Sequence, residues 1–158
     1  MDSALLKLKE GDVLFVEGEM ISELFIIKSG EIGIFKEKGD RLDPYRNIDA
    51  GSLVGEVSIF TNEKHRGATA VATMDSEIVK ISKEAILKVM NSRPLWLGEV
   101  MKNITDTLIY TGKLMKDQSI FQDDMTREFK ILTPDMEGRY LNSIDDYRRK
   151  SGVVRTNA

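Results

Sequence analysis

The sequence predicts an α+β, mainly β fold: an antiparallel β-roll (jelly roll) of about eight short strands followed by C-terminal helices. Three observations carry this. Up to residue 81 the apolar runs are short, rich in β-formers, and cut at near-regular intervals by glycine-bearing turns. At Ser82 the apolar spacing changes to that of a helix. From Thr133 to Gly152 the chain carries the start and stop signals of one further helix.

Taken in order, the chain opens with an apolar start at Leu5, a turn at Gly11-Asp12, and a strand at Val13-Leu14-Phe15 that Gly18 closes. Leu24 to Lys28 is too short for a helix and reads as a strand. Ser29-Gly30 turns it back, and Glu31 to Lys36 follows with partial alternation, so the two runs read as a β-hairpin. Gly39-Asp40 marks the next turn, and Arg46 to Ile48 is a weaker strand ending at Ala50-Gly51. Ala68 to Ala72 and Glu77 to Ile81 are two more strands, separated by Met74-Asp75-Ser76. Ser82 is an N-cap, and Ala85, Ile86, Val89 and Met90 share one helical face. Arg93-Pro94 breaks that helix, and from Leu95 apolar residues recur at helical spacing to Met115. In the tail, Thr133 is the cap and Pro134 the first position. Asp135 and Glu137 sit in the first turn, Arg148, Arg149 and Lys150 in the last, and Gly152 ends the helix. Its face of Met136, Tyr140, Leu141, Ile144 and Tyr147 suits docking on its own domain, and the basic triplet complements the helix dipole. The division expected is residues 1–115 as roll with capping helices and residues 116–158 as helical tail.

Composition bounds the function. The 158 residues, 41% hydrophobic and 31% charged, describe an ordinary soluble globular chain. No apolar run reaches a membrane span and no signal peptide is visible, which favours the cytoplasm and no membrane partner. Zero cysteines exclude disulfides and thiolate metal sites. A net charge of −3 argues against nucleic acid as a partner. The single histidine, His65, reads as solvated, and alone it cannot supply the histidine cluster of a metal-dependent roll enzyme or act as base for a nucleophile. No catalytic residue, metal or cofactor is expected.

One stretch carries chemistry: Gly51 to Ala72, GSLVGEVSIFTNEKHRGATAVA. Gly51 and Gly55 permit close backbone approach, and Glu56 follows directly. A short apolar turn begins at Val57-Ser58, and a polar loop then leads to Arg66 and the small residues Gly67-Ala68-Thr69. Amides at the start of a short helix point at an anion, and a guanidinium forks onto phosphate oxygens. A carboxylate repels phosphate but accepts from a sugar hydroxyl.

This arrangement resembles the phosphate-binding cassette of the cyclic nucleotide-binding domain, the module of bacterial catabolite activators and of cyclic-AMP-dependent kinase regulatory subunits. The family pattern is Gly-Glu, a short helix, a loop, then Arg and small residues. Here Gly55-Glu56-Val57-Ser58 is followed by Arg66-Gly67-Ala68-Thr69, with Arg66 eleven residues after Gly55, the bacterial spacing. The likeness extends over roughly Leu8 to Met115. It implies that Arg66 takes the free phosphate oxygens and Glu56 the ribose 2′-hydroxyl, with amides around Val57-Ser58 and Gly67-Ala68 completing the cradle. Val54, Ile48 and Ile34 would line the sugar and base side, although any β-roll would bury them. Thr111, 45 residues after Arg66, falls where bacterial cyclic-AMP receptors place a threonine that meets adenine. At Gly67 many relatives carry a hydroxyl, and cyclic-GMP-selective ones a threonine, so the ligand implied is cyclic AMP, with cyclic GMP as the other candidate. The long helix corresponds to the one that closes over the nucleotide and often forms a dimer seam. A protein partner or homodimer through the C-terminal helices is therefore expected. The opposing reading is a degenerate β-roll that binds no nucleotide and serves as a scaffold. The 43 residues after Met115 contain no glycine-turned helix pair, so no DNA-reading domain is expected there.

Overall fold

The computed structural model describes residues 3–55, 64–92, 94–117 and 132–155. Two four-stranded antiparallel sheets form the roll. One has the spatial order β1 (Ser3–Leu8), β8 (Ser76–Ser82), β3 (Glu23–Ser29), β6 (Leu53–Val54). The other runs β2 (Val13–Phe15), β7 (Thr69–Ala72), β4 (Glu31–Lys38), β5 (Arg41–Asp49). Between them lies an apolar core in which Phe15, Phe25, Ile27, Ile32, Ile78 and Val54 are buried. Each such side chain contributes about 1.5–3 kcal/mol by leaving water, so this layer is the main source of stability.

The expected strands exist, but the expected hairpin between residues 24–28 and 31–36 does not. β3 pairs with β8 and β6, while β4 pairs with β5 and β7 in the opposite sheet. Ser29-Gly30 is a corner between sheets. Gly30 has φ 88°, and a side chain there would collide with Ser76 Oγ and the Asp75 carbonyl. The Glu31 amide donates to Ser76 Oγ at 3.1 Å, which fixes the corner against the β7–β8 turn. Period-two alternation cannot separate the two topologies, because each run buries one face on the same core either way. The true hairpin joins β4 to β5 through Gly39-Asp40. β5 is also longer than Arg46 to Ile48. Its first half contains Pro44, which an edge strand tolerates at a register shift, here between Ile34 and Phe35.

Three helices follow. In α1 (Lys83–Asn91), the Ala85 amide donates to Ser82 Oγ at 3.2 Å, as the cap predicts. Ile86 packs on Ile21 and Leu24, whereas Val89 of the same expected face is exposed. α2 (Leu95–Asp117) leaves Leu95, Trp96, Val100, Ile104 and Tyr110 exposed. α3 (Pro134–Ser151) has the expected cap, with Thr133 accepting from the Met136 amide, and ends on left-handed Gly152. Among the described residues, no helix is long and apolar enough to cross a membrane.

α3 covers the outer face of the β2-β7-β4-β5 sheet. Tyr140 and Ile144 are fully buried against Val16, Phe35, Leu42 and Val71, and the Tyr140 ring meets Phe35 edge-on at 5.9 Å. The helix is also tied by charge. Arg148 stands in the last turn, as expected of a dipole complement, and does more than complement the dipole. It is buried and donates to Glu37 at 2.7 Å and to the Glu17 carbonyl at 2.9 Å. Glu37 is further held by Arg155 at 3.2 Å and accepts from the Thr69 hydroxyl. A basic triplet at a helix end reads the same in sequence whether or not an acid 111 residues away lies beneath it.

Candidate functional site

Arg66 enters the roll because of how its segment is paired. Residues 64–66 run antiparallel to 18–21. The Arg66 amide donates to the Glu19 carbonyl at 2.7 Å, the Gly18 amide to the Arg66 carbonyl at 2.9 Å, and the Ile21 amide to the Lys64 carbonyl at 3.0 Å. Alternation along this extended pair sends His65 to solvent and Arg66 inward, to 4% exposure. His65 is thus solvated as expected, and the arginine that reads as a surface residue by composition alone is buried.

Inside, the guanidinium lies 4.4 Å from the Phe15 ring centre and 5.4 Å from that of Phe25, two rings that themselves stack at 5.8 Å. Such contacts hold a partly desolvated cation with about 0.5–2 kcal/mol each. Nη2 donates to the Glu23 carbonyl. Nη1 is buried and has no hydrogen-bond partner among the described residues. It faces Gly55, at the end of β6, where φ is 87° and any Cβ would overlap Nη1. The glycine is required twice here, for its left-handed backbone and for the space it leaves.

The electrostatics are unbalanced in a way that suits an anion. Burial pulls the Arg66 guanidinium below its ordinary value, while Glu19, Glu23 and Tyr147 oppose this. No carboxylate forms an ion pair with it among the described residues. Glu23 is engaged elsewhere: burial pushes its carboxyl up, but bonds from Ser22 and Lys80 outweigh this and hold it below the usual carboxylate range. A buried charge without a paired counter-charge costs several kcal/mol, and an unmet buried N–H about 1–3 kcal/mol. A doubly acceptor anion such as a phosphate diester, approaching along the Gly55 backbone, would offset both.

Of the other sequence-chosen residues, Val54, Ile48 and Ile34 are buried in the core around Phe15 and Phe25. Gly67 is exposed, its carbonyl accepting from Lys36 Nζ, and Ala68 is half-buried against the core. Thr111 is exposed on α2, and its hydroxyl donates to the Thr107 carbonyl at 2.8 Å. Glu56, Val57 and Ser58 lie outside the described residues. The structure thus brings Gly55 against Arg66, with Val54 beside Gly55 in the buried core. Sequence reasoning missed Phe15, Phe25, Glu19 and Glu23, which read as core or surface residues; nothing short of the long-range pairing of residues 64–66 with 18–21 identifies them. Among the described residues, no three His, Cys, Asp or Glu side chains are grouped to hold a metal.

The chain is 29% identical to the cyclic AMP receptor protein of Thermus thermophilus over 54% of its length and 40% of that protein's. It is 32% identical to the anaerobic regulatory protein of Bacillus subtilis, over 61% of its length and 41% of the relative's. It therefore spans about two fifths of these curated relatives. A transcriptional regulator from Thermotoga maritima shares the fold with a TM-score of 0.61 at 17% identity, over 75% of this chain and 93% of that one. The family model of the cyclic nucleotide-binding domain matches residues 5–93, which include Gly55 and Arg66. That match covers more than half of the 158 residues, and with the two-sheet roll around a buried arginine it shows that the protein belongs to the cyclic nucleotide-binding domain family.

Proposed function

We propose that the chain is a cytoplasmic cyclic nucleotide sensor that prefers cyclic AMP and has no catalytic step of its own. The observation that carries this is the Arg66 guanidinium, buried between Phe15 and Phe25, with Nη1 unpartnered among the described residues and turned toward the Cβ-free side of Gly55. The cyclic phosphate would take Nη1, with amides near Val57-Ser58 and Gly67-Ala68 around it. Glu56 would accept from the ribose 2′-hydroxyl, and Val54 would pack against the sugar. Gly67 offers no hydroxyl to a guanine amino group, whereas Thr111 has one for adenine, so the preference over cyclic GMP is modest. Residues 1–115 are the sensing unit in this reading, and residues 116–158 the output tail. The apolar residues that α2 exposes, Trp96, Val100, Ile104 and Tyr110, suit a second copy or a protein partner rather than nucleic acid or membrane.

Calorimetric titration with cyclic AMP and cyclic GMP tests the reading. Losing a charged contact in a desolvated site costs about 2–5 kcal/mol. Arg66→Ala should therefore weaken cyclic AMP roughly 30- to 5,000-fold with the fold retained. Equal binding by parent and Arg66→Ala would refute the assignment, and no binding of either nucleotide by the parent would leave the scaffold reading in its place.

A further inference from the structure

α3 lies beyond residues 5–93, yet it reaches the chain segment that carries Arg66. One turn past the buried Ile144, Tyr147 packs at the margin of the same apolar cluster, and its hydroxyl donates to Glu19 Oε1 at 3.1 Å. The next residue, Arg148, donates to the Glu17 carbonyl at 2.9 Å. These two bonds grip a tight turn, residues 16–19, from outside. Within the turn the Val16 amide donates to Glu19 Oε2 at 3.0 Å, and the Glu19 amide to the Val16 carbonyl at 3.1 Å. The same turn holds both main-chain polar groups of Arg66, through the Glu19 carbonyl and the Gly18 amide.

We propose that Tyr147, acting through Glu19, is a positioning residue for Arg66, so that the docked C-terminal helix sets where the guanidinium stands and how tightly a cyclic phosphate binds it. Burial, together with Glu19, pushes the Tyr147 phenol far up, so it remains a protonated donor at any physiological pH. Coupling of this kind is reciprocal: a ligand that fixes Arg66 tightens α3 on the sheet by the same factor. In the affinity arm the inference rests on Arg66 as the phosphate contact; in the positional arm it does not.

Tyr147→Phe in the full chain removes one hydrogen bond and keeps the ring. Amide hydrogen exchange, followed residue by residue, should show the Arg66 and Val16 amides exchanging about 2- to 12-fold faster. The Ala70 and Ala72 amides, within β7, should keep the parent's rates. Cyclic AMP should bind more weakly by a similar factor, and in the parent it should slow exchange across residues 140–148. Unchanged exchange at Arg66, or a uniform rise that includes Ala70 and Ala72, overturns the inference. A parent that binds neither cyclic nucleotide instead removes the functional reading, and the exchange arm still decides the position of Arg66.

Discussion

Gly51 and Gly55 flank β6 with the same backbone angle, φ 87°, but only one of them touches the site. A Cβ on Gly51 meets nothing within 4 Å, whereas one on Gly55 overlaps Arg66 Nη1. The pair therefore separates backbone strain from displacement of the arginine. Alanine at a left-handed position costs about 1–2 kcal/mol. For a chain of this size Gly51→Ala should lower Tm by about 2–8 °C and leave cyclic AMP affinity within twofold of the parent. Gly55→Ala carries the same strain and must also move the guanidinium. That movement breaks the charged hydrogen bond to the Glu23 carbonyl, worth about 1.5–3 kcal/mol, and draws the cation off Phe15. Its total cost should be about 2.5–5 kcal/mol, and cyclic AMP binding should fall at least as far as in the weakest Arg66→Ala case, roughly 30-fold. Thermal melts and calorimetry on both variants read the difference. Equal Tm values with equal nucleotide affinity would mean that the cleft beside Gly55 is not where Arg66 works.

Two further outcomes follow from the same geometry. Tyr140→Phe should raise stability by about 1 kcal/mol in urea titrations, because the Tyr140 hydroxyl is buried without a hydrogen-bond partner among the described residues and the ring contact with Phe35 survives the change; a loss of stability would show that the hydroxyl is satisfied. Glu23 governs part of the acid response: its folded-state value lies below the ordinary 4.5, so its contribution is present above that pH and is lost as the pH falls through the folded value. Glu23→Gln should accordingly narrow its Tm gap to the parent between about pH 6 and about pH 3, and a constant gap would remove Glu23 from the acid limb.

Local features were legible in the sequence, and long-range ones were not. Ser82, Thr133 and Gly152 act over three or four residues, so the caps stand where the residue types place them. The spacing from Gly55 to Arg66 is likewise local and led to the arginine. What surrounds that arginine is not local. Phe15 and Phe25 are apolar residues in apolar runs, and Glu19 and Glu23 are acids near a turn; nothing in their neighbours distinguishes a guanidinium clamp from ordinary core and surface. The missed corner at Ser29-Gly30 has the same cause, since the partner that decides it, Ser76, lies 45 residues on.

Among the described residues Arg66 is buried with less hydrogen bonding than it can make, a condition that persists only where surrounding structure holds it. The holding groups come from both sheets and, through the turn at residues 16–19, from α3. A ligand that completes the guanidinium's partners stabilises all of these contacts together by an amount set by its own affinity. α3 adheres through Tyr140, Ile144 and the buried pair of Arg148 with Glu37. Removing either partner of that pair would leave the other charge buried and unpaired, at a cost of about 3–5 kcal/mol, so the docked position is firmly specified. Under the proposed coupling through Tyr147 and Glu19, a ligand that fixes Arg66 would add to this adhesion by no more than its differential affinity for the docked state.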